Sequence, residues 1–346
     1  MAKHEAYELK QMQSLPLKYK ILMSQQRIQD WYEHWNGEVY VSRSGGKDSD
    51  VLGHLVKEMY PDVPHVFVNT GLEYDSVRTH GEEVADVVLR PQMNFADVIT
   101  KYGYPVISKE VSRVICDTQR MKARGESPKG WAFKKISGEI INKKTGELSQ
   151  FNIPHYKFLL DAPFRISDRC CDVMKKKPVK KYGKDTGNKA FIGTLADESR
   201  LRKRKWLKYG CNAFEEKSPT SQPLSFWTEQ DILQYIKQEG IKIADVYGDI
   251  SYKDKDGMIY ADNIFTPYME LETTGAKRTG CVFCMFGIKQ DTDRFLRLKK
   301  TEPKKYDYVM RGGKFDEQGM WIPHQGLGYK FVIDWLNEHG NLNIKY

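Results

Sequence analysis

Residues Val39–Leu55 read VYVSRSGGKDSDVLGHL, and this stretch decides the fold. Val39, Tyr40 and Val41 have the β-branched and aromatic character of a buried strand. Two adjacent glycines interrupt it, and Val51, Leu52, Leu55 and Met59 then recur at helical spacing. A strand that turns through glycine into a helix places free backbone N–H groups at the carboxyl end of a sheet. In parallel α/β proteins that is where ligands bind. Ser44, Gly45, Gly46, Lys47, Asp48 and Ser49 fall at that turn. The glycines admit an anion close to the backbone, Lys47 adds positive charge, and Ser42, Ser44 and Ser49 add hydroxyls. Asp48 is suited to bonding backbone N–H groups or to helping hold Mg²⁺. The ordinary phosphate loop, G-x-x-x-x-G-K-[ST], is a different pattern, because the glycines here are neighbours.

The flanking segments repeat the strand–helix alternation. Pro16–Trp35 has apolar residues at helical spacing and stops at Asn36-Gly37. PHVFVNTG, ADVVLRP and KAFIGTL read as further buried strands. The expected fold is α/β, a doubly wound parallel sheet. Residues 120–160 break the rhythm and read as an insertion, with a hairpin in GEIINKKTGELSQF around Lys144-Thr145-Gly146. TEQDILQYIKQEG predicts a helix capped by Thr228, and a last helix is expected near Tyr329 to His339. KDKDG and RGGKFDEQG read as turns in a mixed C-terminal region. The linear segmentation expected is an N-terminal helical segment over 1–36, a nucleotide-binding domain over 37–240 and a C-terminal region over 241–346.

With 346 residues, 40% of them hydrophobic and 12% aromatic, the chain is of globular composition and long enough for a sizeable core. Lysine and arginine number 55 against 46 acidic residues, a net charge of +9 that suits a phosphate-bearing partner or simply a solvated basic surface. The N-terminus lacks a signal-peptide core, and no apolar run has bilayer-spanning length. No membrane role and a cytoplasmic location are therefore expected, where thiols stay reduced.

Six cysteines in that setting call for metal or redox chemistry. ISDRCCDVMKKKP carries Cys170 and Cys171 side by side, and RTGCVFCMFG carries Cys281 and Cys284. A C-x-x-C turn aims two sulfurs at one centre, and two more thiolates complete a tetrahedral set. Arg169, Lys175, Lys176, Lys177 and Arg278 are neighbouring cations that would lower thiol pKa values. Spacing alone fits zinc, an iron–sulfur cluster or unligated buried cysteines. Cys116 reads as core; Cys211 reads as packing or as a reactive thiol.

SGGKDS resembles the signature of the PP-loop ATP pyrophosphatases, which cleave ATP between its α- and β-phosphates. NTGLEYDSVRTH resembles the segment after the second strand in the phosphoadenosine phosphosulfate (PAPS) reductase family, with Asn69 in place of an aspartate. The resemblance implies an adenine nucleotide alpha hydrolase-like fold. It also implies ATP or a related adenine nucleotide at Ser42, Ser44 to Ser49, Asn69, Thr70 and Gly71, with Lys47 and Asp48 as the catalytic pair. Paired cysteines followed far downstream by C-x-x-C resemble the [4Fe–4S] framework of the adenosine phosphosulfate (APS) reductases. That resemblance implies a cluster on Cys170, Cys171, Cys281 and Cys284, with zinc as the alternative. GTLADESRLR and PLSFWTEQDI also follow in family order, carrying Glu198, Ser199 and Arg202 as anion contacts.

Two departures matter. Reductases of this family attack sulfur with a cysteine in a C-terminal motif, and no cysteine follows Cys284 in this sequence. Relatives often carry arginine where this chain has Leu195. Arg200, Arg202, Lys203, Arg204, Lys205 and Lys208, interleaved with Trp206 and Tyr209, suit either a solvated helix face or contact with tRNA or DNA. The leading expectation is an enzyme that adenylates its substrate with ATP and Mg²⁺ and uses its cluster in sulfur transfer to nucleic acid, fed by a sulfur-donor protein. The alternatives are an APS or PAPS reductase served by a thioredoxin-like protein, with Cys211 or a separate protein as its thiol, and a nucleotide-binding sensor without turnover.

Overall fold

The computed structural model describes residues 3–125, 130–254, 259–260, 269–288 and 291–346. In chain order the helices and strands are α1 (Ala6–Gln13), α2 (Leu17–His34), β1 (Val39–Arg43), α3 (Lys47–Met59), β2 (His65–Val68), α4 (Asp75–Glu83), β3 (Val87–Leu89), α5 (Phe95–Tyr102), β4 (Val106–Ile107), α6 (Lys109–Ala123) and α7 (Trp131–Ser137). There follow α8 (Lys177–Thr186), β5 (Lys189–Ile192), α9 (Arg200–Tyr209), β6 (Asn212–Ala213), β7 (Thr220–Ser221), α10 (Glu229–Glu239), β8 (Ile250–Lys253), β9 (Ile259–Tyr260) and β10 (Glu270–Thr273). The chain ends with β11 (Met285–Phe286), α11 (Arg294–Thr301), α12 (Pro303–Met310), β12 (Lys314–Phe315), β13 (Trp321–Ile322) and α13 (Tyr329–Gly340). Two compact units divide these elements, each assembled from two stretches: Met1–Arg90 with Pro178–Gly280, and Pro91–Lys177 with Cys281–Tyr346.

The first unit is built on a six-stranded sheet of order β3-β2-β1-β5-β7-β6. All its pairings are parallel except β6 against β7. This is the expected α/β sheet. The chain leaves β1 toward β2 and β3 on one side and returns on the other side through β5, so β1 lies at the switch in strand order, where such sheets bind ligands. Val39 and Val41 are fully buried, as are Val51, Leu52 and Val56 of α3, and they share one core with Trp31, Phe191, Trp227 and Ile232. The turn after α2 follows from Asn36 and Gly37, both left-handed at φ 49° and 79°. Thr228 caps α10 by accepting from the Asp231 N–H at 3.3 Å. Asp231 in turn forms a buried ion pair with Lys20 at 2.6 Å.

The second unit holds shorter pieces around an aromatic core of Tyr104, Phe164, Phe283, Phe295 and Tyr329. β4 and β11 form a parallel two-stranded ribbon that pairs Val106 with Met285. The hairpin expected near Lys144 is present, with Ile141 bridging Leu148 and Gly146 left-handed at φ 75°. The last helix spans Tyr329–Gly340, one residue beyond the expected end. KDKDG runs into residues outside those described; RGGKFDEQG forms the turn of the β12–β13 hairpin. Among the described residues, no helix is long and apolar enough to cross a membrane.

Candidate functional site

Two groups of residues carry chemistry, one in each unit. In the first, Gly46 is the N-cap of α3 in extended geometry and, having no side chain, supplies no cap bond of its own to this 13-residue helix. Gly45 is required here: its φ is +70°, and a Cβ would sit 2.6 Å from the Val77 carbonyl oxygen. Gly193 at the end of β5 is required for a different reason, since a Cβ there would stand 2.7 Å from the Asp48 carbonyl oxygen.

The loop's hydroxyls hold it in shape. Ser49 Oγ accepts from the Ser44 N–H at 3.1 Å and donates to the Gly46 carbonyl at 2.7 Å. The Gly46 N–H donates to Ser44 Oγ at 3.3 Å. Lys47 is buried; its Nζ donates to the Lys277 carbonyl at 2.8 Å and pairs with Glu229 at 3.0 Å. Tyr247 Oη accepts from the Lys47 N–H at 3.3 Å and bonds Thr279 Oγ1 at 2.9 Å. Burial pushes the Asp48 carboxyl up, against the opposing pull of Lys47, Arg202 and Arg278. Burial likewise lowers the Arg202 pKa, with Asp48 opposing and Arg278 adding to the effect. Asp48 therefore lies in the combined field of Lys47, Arg202 and Arg278. An open cavity of about 570 Å³ is lined by Glu229 and Lys277, the partners of Lys47, and by Gln230, Leu233 and Thr273. That is within the size range of small-molecule sites.

Beneath the loop lies a buried charged network. Arg43 donates to Asp50 at 2.7 Å, and His80 Nε2 meets the other Asp50 oxygen at 3.0 Å. Gly53 makes room for it, because a Cβ there would collide with the Arg43 guanidinium. Burial and the Arg43 charge lower the His65 pKa to about 4.

The remaining residues expected at a nucleotide site have local partners. Ser42 lies within β1, in register with Val66 and Ile192. Asn69 donates to Glu82 at 2.6 Å and accepts from the Gly71 N–H at 3.0 Å. Thr70 donates to Glu73 at 2.7 Å, and Gly71 is exposed at φ +73°. Ser199 caps α9 by accepting from Arg202 N–H at 3.3 Å, while Glu198 accepts from Leu195 N–H at 3.1 Å and pairs with Arg202. Leu195 itself is buried in the core, so the position where relatives often carry arginine faces inward here.

Trp206 corrects one expectation. It is buried in the same core with its ring 4.9 Å from His4, so it has no face to offer a base. Helical spacing turns Trp206 inward while Arg200, Arg204 and Lys208 stay exposed. Lys205 is spent on Thr220 at 2.7 Å and Glu216 at 2.9 Å.

The second group is in the other unit. Cys170 and Cys171 precede a π-helical turn, Asp172–Lys176, a rare form that marks functional positions. Cys281 and Cys284 are joined by a turn in which the Cys284 N–H donates to the Cys281 carbonyl at 3.1 Å. The Phe286 N–H donates to Cys284 Sγ at 3.4 Å, and Arg294 donates to the Cys284 carbonyl at 2.5 Å. The Cys171 pKa is lowered to about 6, first by a hydrogen bond from Cys170 and then by Lys109 and Lys175. Cys170 holds its proton more tightly for the same reason, with burial and the charges of Cys171, Cys284 and Cys281 adding to it. Burial, then Cys281, pushes Cys284 up to about 12. The cations that act on these thiols are Lys109, Lys175 and Arg294; Arg278 instead belongs to the Asp48 group. Lys109 was not expected, since it lies far away in sequence at the start of α6.

The four cysteines are thus brought within electrostatic reach of one another. Among the described residues, however, no group of three or more His, Cys, Asp or Glu side chains is arranged to hold a metal ion. Cys170 and Cys284 hold their protons and would have to release them to a cationic centre, since ligand thiols bind as thiolates. A donor set of four thiols, with one N–H···S bond to Cys284, is chemically suited to an iron–sulfur cluster or to zinc, which Cys170, Cys171, Cys281 and Cys284 would hold. Cys116 and Cys211 take no part. Burial raises both pKa values, and Cys211 accepts from Ser225 Oγ at 3.4 Å within the core.

A parallel sheet with a glycine loop at its switch point defines an α/β protein of the nucleotide-handling type. A family profile described as phosphoadenosine phosphosulfate reductase domain matches residues 38–110 and 140–285. The chain belongs to this enzyme family. It is also similar to the crystal structure of a phosphoadenylyl-sulfate (PAPS) reductase from Candida auris, a phosphate complex. That likeness has 14% identity and a TM-score of 0.35, and covers 67% of this chain and 91% of that one. No curated protein sequence matches the chain.

Proposed function

We propose that the protein binds ATP or a related adenine nucleotide at the Ser44–Ser49 loop and activates a substrate oxygen by adenylation, in support of sulfur transfer. The observation that carries this reading is the glycine turn at the α3 N-terminus, where Asp48 lies in the field of Lys47, Arg202 and Arg278. In the step, an acceptor oxygen attacks the α-phosphorus. The bond from that phosphorus to the bridging oxygen breaks, and the electron pair leaves with pyrophosphate. Lys47 and the helix N-terminus stabilise the charge that grows on the phosphates, and Asp48 is placed to meet a Mg²⁺ carried in with them. Arg202 and Arg278 supply further positive charge to the same group. Cys170, Cys171, Cys281 and Cys284 would hold the cluster, which when bound supplies a thiophilic centre for the sulfur. A nucleic acid acceptor, tRNA or DNA, would meet the exposed Arg200, Arg204 and Lys208 through its phosphates rather than by stacking on Trp206.

Anaerobically purified protein given ATP, Mg²⁺ and tRNA or DNA should release AMP and pyrophosphate. No release with any acceptor, in iron-replete protein, overturns the reading. A second reading, an APS or PAPS reductase, is favoured by the family match. The attacking thiol would then come from a separate protein, because Cys211 is buried with a raised pKa. Sulfite release from APS or PAPS with a thioredoxin-like partner decides for it.

A further inference from the structure

The four-thiol group has a neighbour that no sequence motif announces. Tyr329 opens α13, is 0% exposed, and among the described residues its hydroxyl has no hydrogen-bond partner. Leaving a buried hydroxyl unpaired is costly, so native proteins rarely do it without a reason. The ring is held from several sides. Phe283, the middle of the C-x-x-C turn, meets it edge-on at 5.9 Å and 90°, while Tyr104 and Phe295 pack at 5.6 and 6.2 Å. Its electrostatic neighbours are Cys284, Cys170, Tyr104 and Cys281. The ring thus packs against the C-x-x-C turn with three of the four thiols in its electrostatic reach, and among the described residues its hydroxyl has no acceptor.

We infer that the Tyr329 hydroxyl donates a hydrogen bond to a sulfur of the iron–sulfur centre and thereby raises its reduction potential. This rests on the cluster reading above. A donor to a cluster sulfur stabilises the reduced, more negative state, and hydrogen bonding to sulfur is a main control of such potentials. Tyr329 is a positioning and tuning residue rather than a ligand, and Tyr329→Phe should keep the iron.

The test uses the full chain, prepared anaerobically, with iron and sulfide analysis followed by a redox titration monitored by electron paramagnetic resonance. Tyr329→Phe should load iron like the wild type, while its oxidised-to-reduced ratio at fixed poise rises about tenfold, a potential about 59 mV lower for one electron. Should Tyr329→Phe fold poorly, 3,5-difluorotyrosine placed at 329 keeps the hydroxyl and strengthens its donation, and the potential should move upward. Full iron with an unchanged potential in either variant overturns the role of the hydroxyl alone. A wild type without iron and sulfide overturns the cluster reading as well.

Discussion

The two chemical groups of this protein are prepared in opposite ways. In the first unit three side chains of the glycine loop are already paired: Ser44 and Ser49 bond the loop's own backbone, and Lys47 is held by Lys277 and Glu229. In the second, Cys170 is pushed up by its hydrogen bond with Cys171 and by burial, Cys284 by burial and by Cys281, and the Tyr329 hydroxyl has no hydrogen-bond partner among the described residues. One group is internally paired, so on the proposed function a nucleotide would have to displace some of those contacts. The other holds thiols that keep their protons and would have to release them to bind a cationic centre. On the same reading, a resident cofactor would add to the stability of its unit.

The sharpest way to break this contrast is to remove a thiol. Cys284→Ala should reduce bound iron from full occupancy to background, read by iron and sulfide analysis; retention of the full complement would mean that the four sulfurs do not act together. Next in size is the foundation of the loop. Asp50 joins Arg43 and His80, and Asp50→Ala leaves a guanidinium buried without its partner, so the urea midpoint should fall by the equivalent of about 3–5 kcal/mol. A loss under about 1 kcal/mol would show that the loop does not depend on this network.

Lys47→Ala tests the loop's chemistry. Removing a donor aimed at developing charge should cut nucleotide-dependent turnover by about 10²–10³-fold, with unfolding little changed. His65 gives the pH dependence of the same foundation. Its folded pKa of about 4 lies below the ordinary value near 6.5, so the neutral ring is favoured in the folded state. Its contribution is fully present above about pH 6.5 and is lost as pH falls toward 4, on the order of 3 kcal/mol in all. His65→Gln should flatten the stability profile across that window in urea titrations.

Much of the first unit was legible because its signals are local. Strand, glycine turn and helix follow one another within Val39–Leu55, and Thr228 announces its own helix three residues ahead of Asp231. What sequence concealed is what depends on distant contact. Tyr247, Thr279 and Lys277 reach the loop from two hundred residues away or more, and Lys109 reaches Cys171 from a different helix. Trp206 misled for a related reason: a run of basic and aromatic letters does not state which helix face turns inward, and its ring was claimed by the core. Leu195 reads as a lost arginine in sequence and as a packed side chain in structure; the same burial explains both.

Glu229 offers the finest test of the closed loop. Its carboxylate lies 3.0 Å from Lys47 Nζ, is 46% exposed, and also pushes the Asp48 pKa upward. An incoming phosphate would compete with it for the same ammonium. Because Glu229 is well solvated, the pair is worth at most about 1 kcal/mol, so Glu229→Gln should tighten nucleotide binding by only about threefold, more at low salt than at high. Asp48 would also ionise more readily, which favours a Mg²⁺-bound nucleotide over the free one. Calorimetry with ATP, with and without Mg²⁺, measures both effects. Weaker binding in the glutamine variant would mean that Glu229 orients Lys47 for the ligand instead of competing with it, and the loop would then be a site completed by α10 rather than one the nucleotide must unlock.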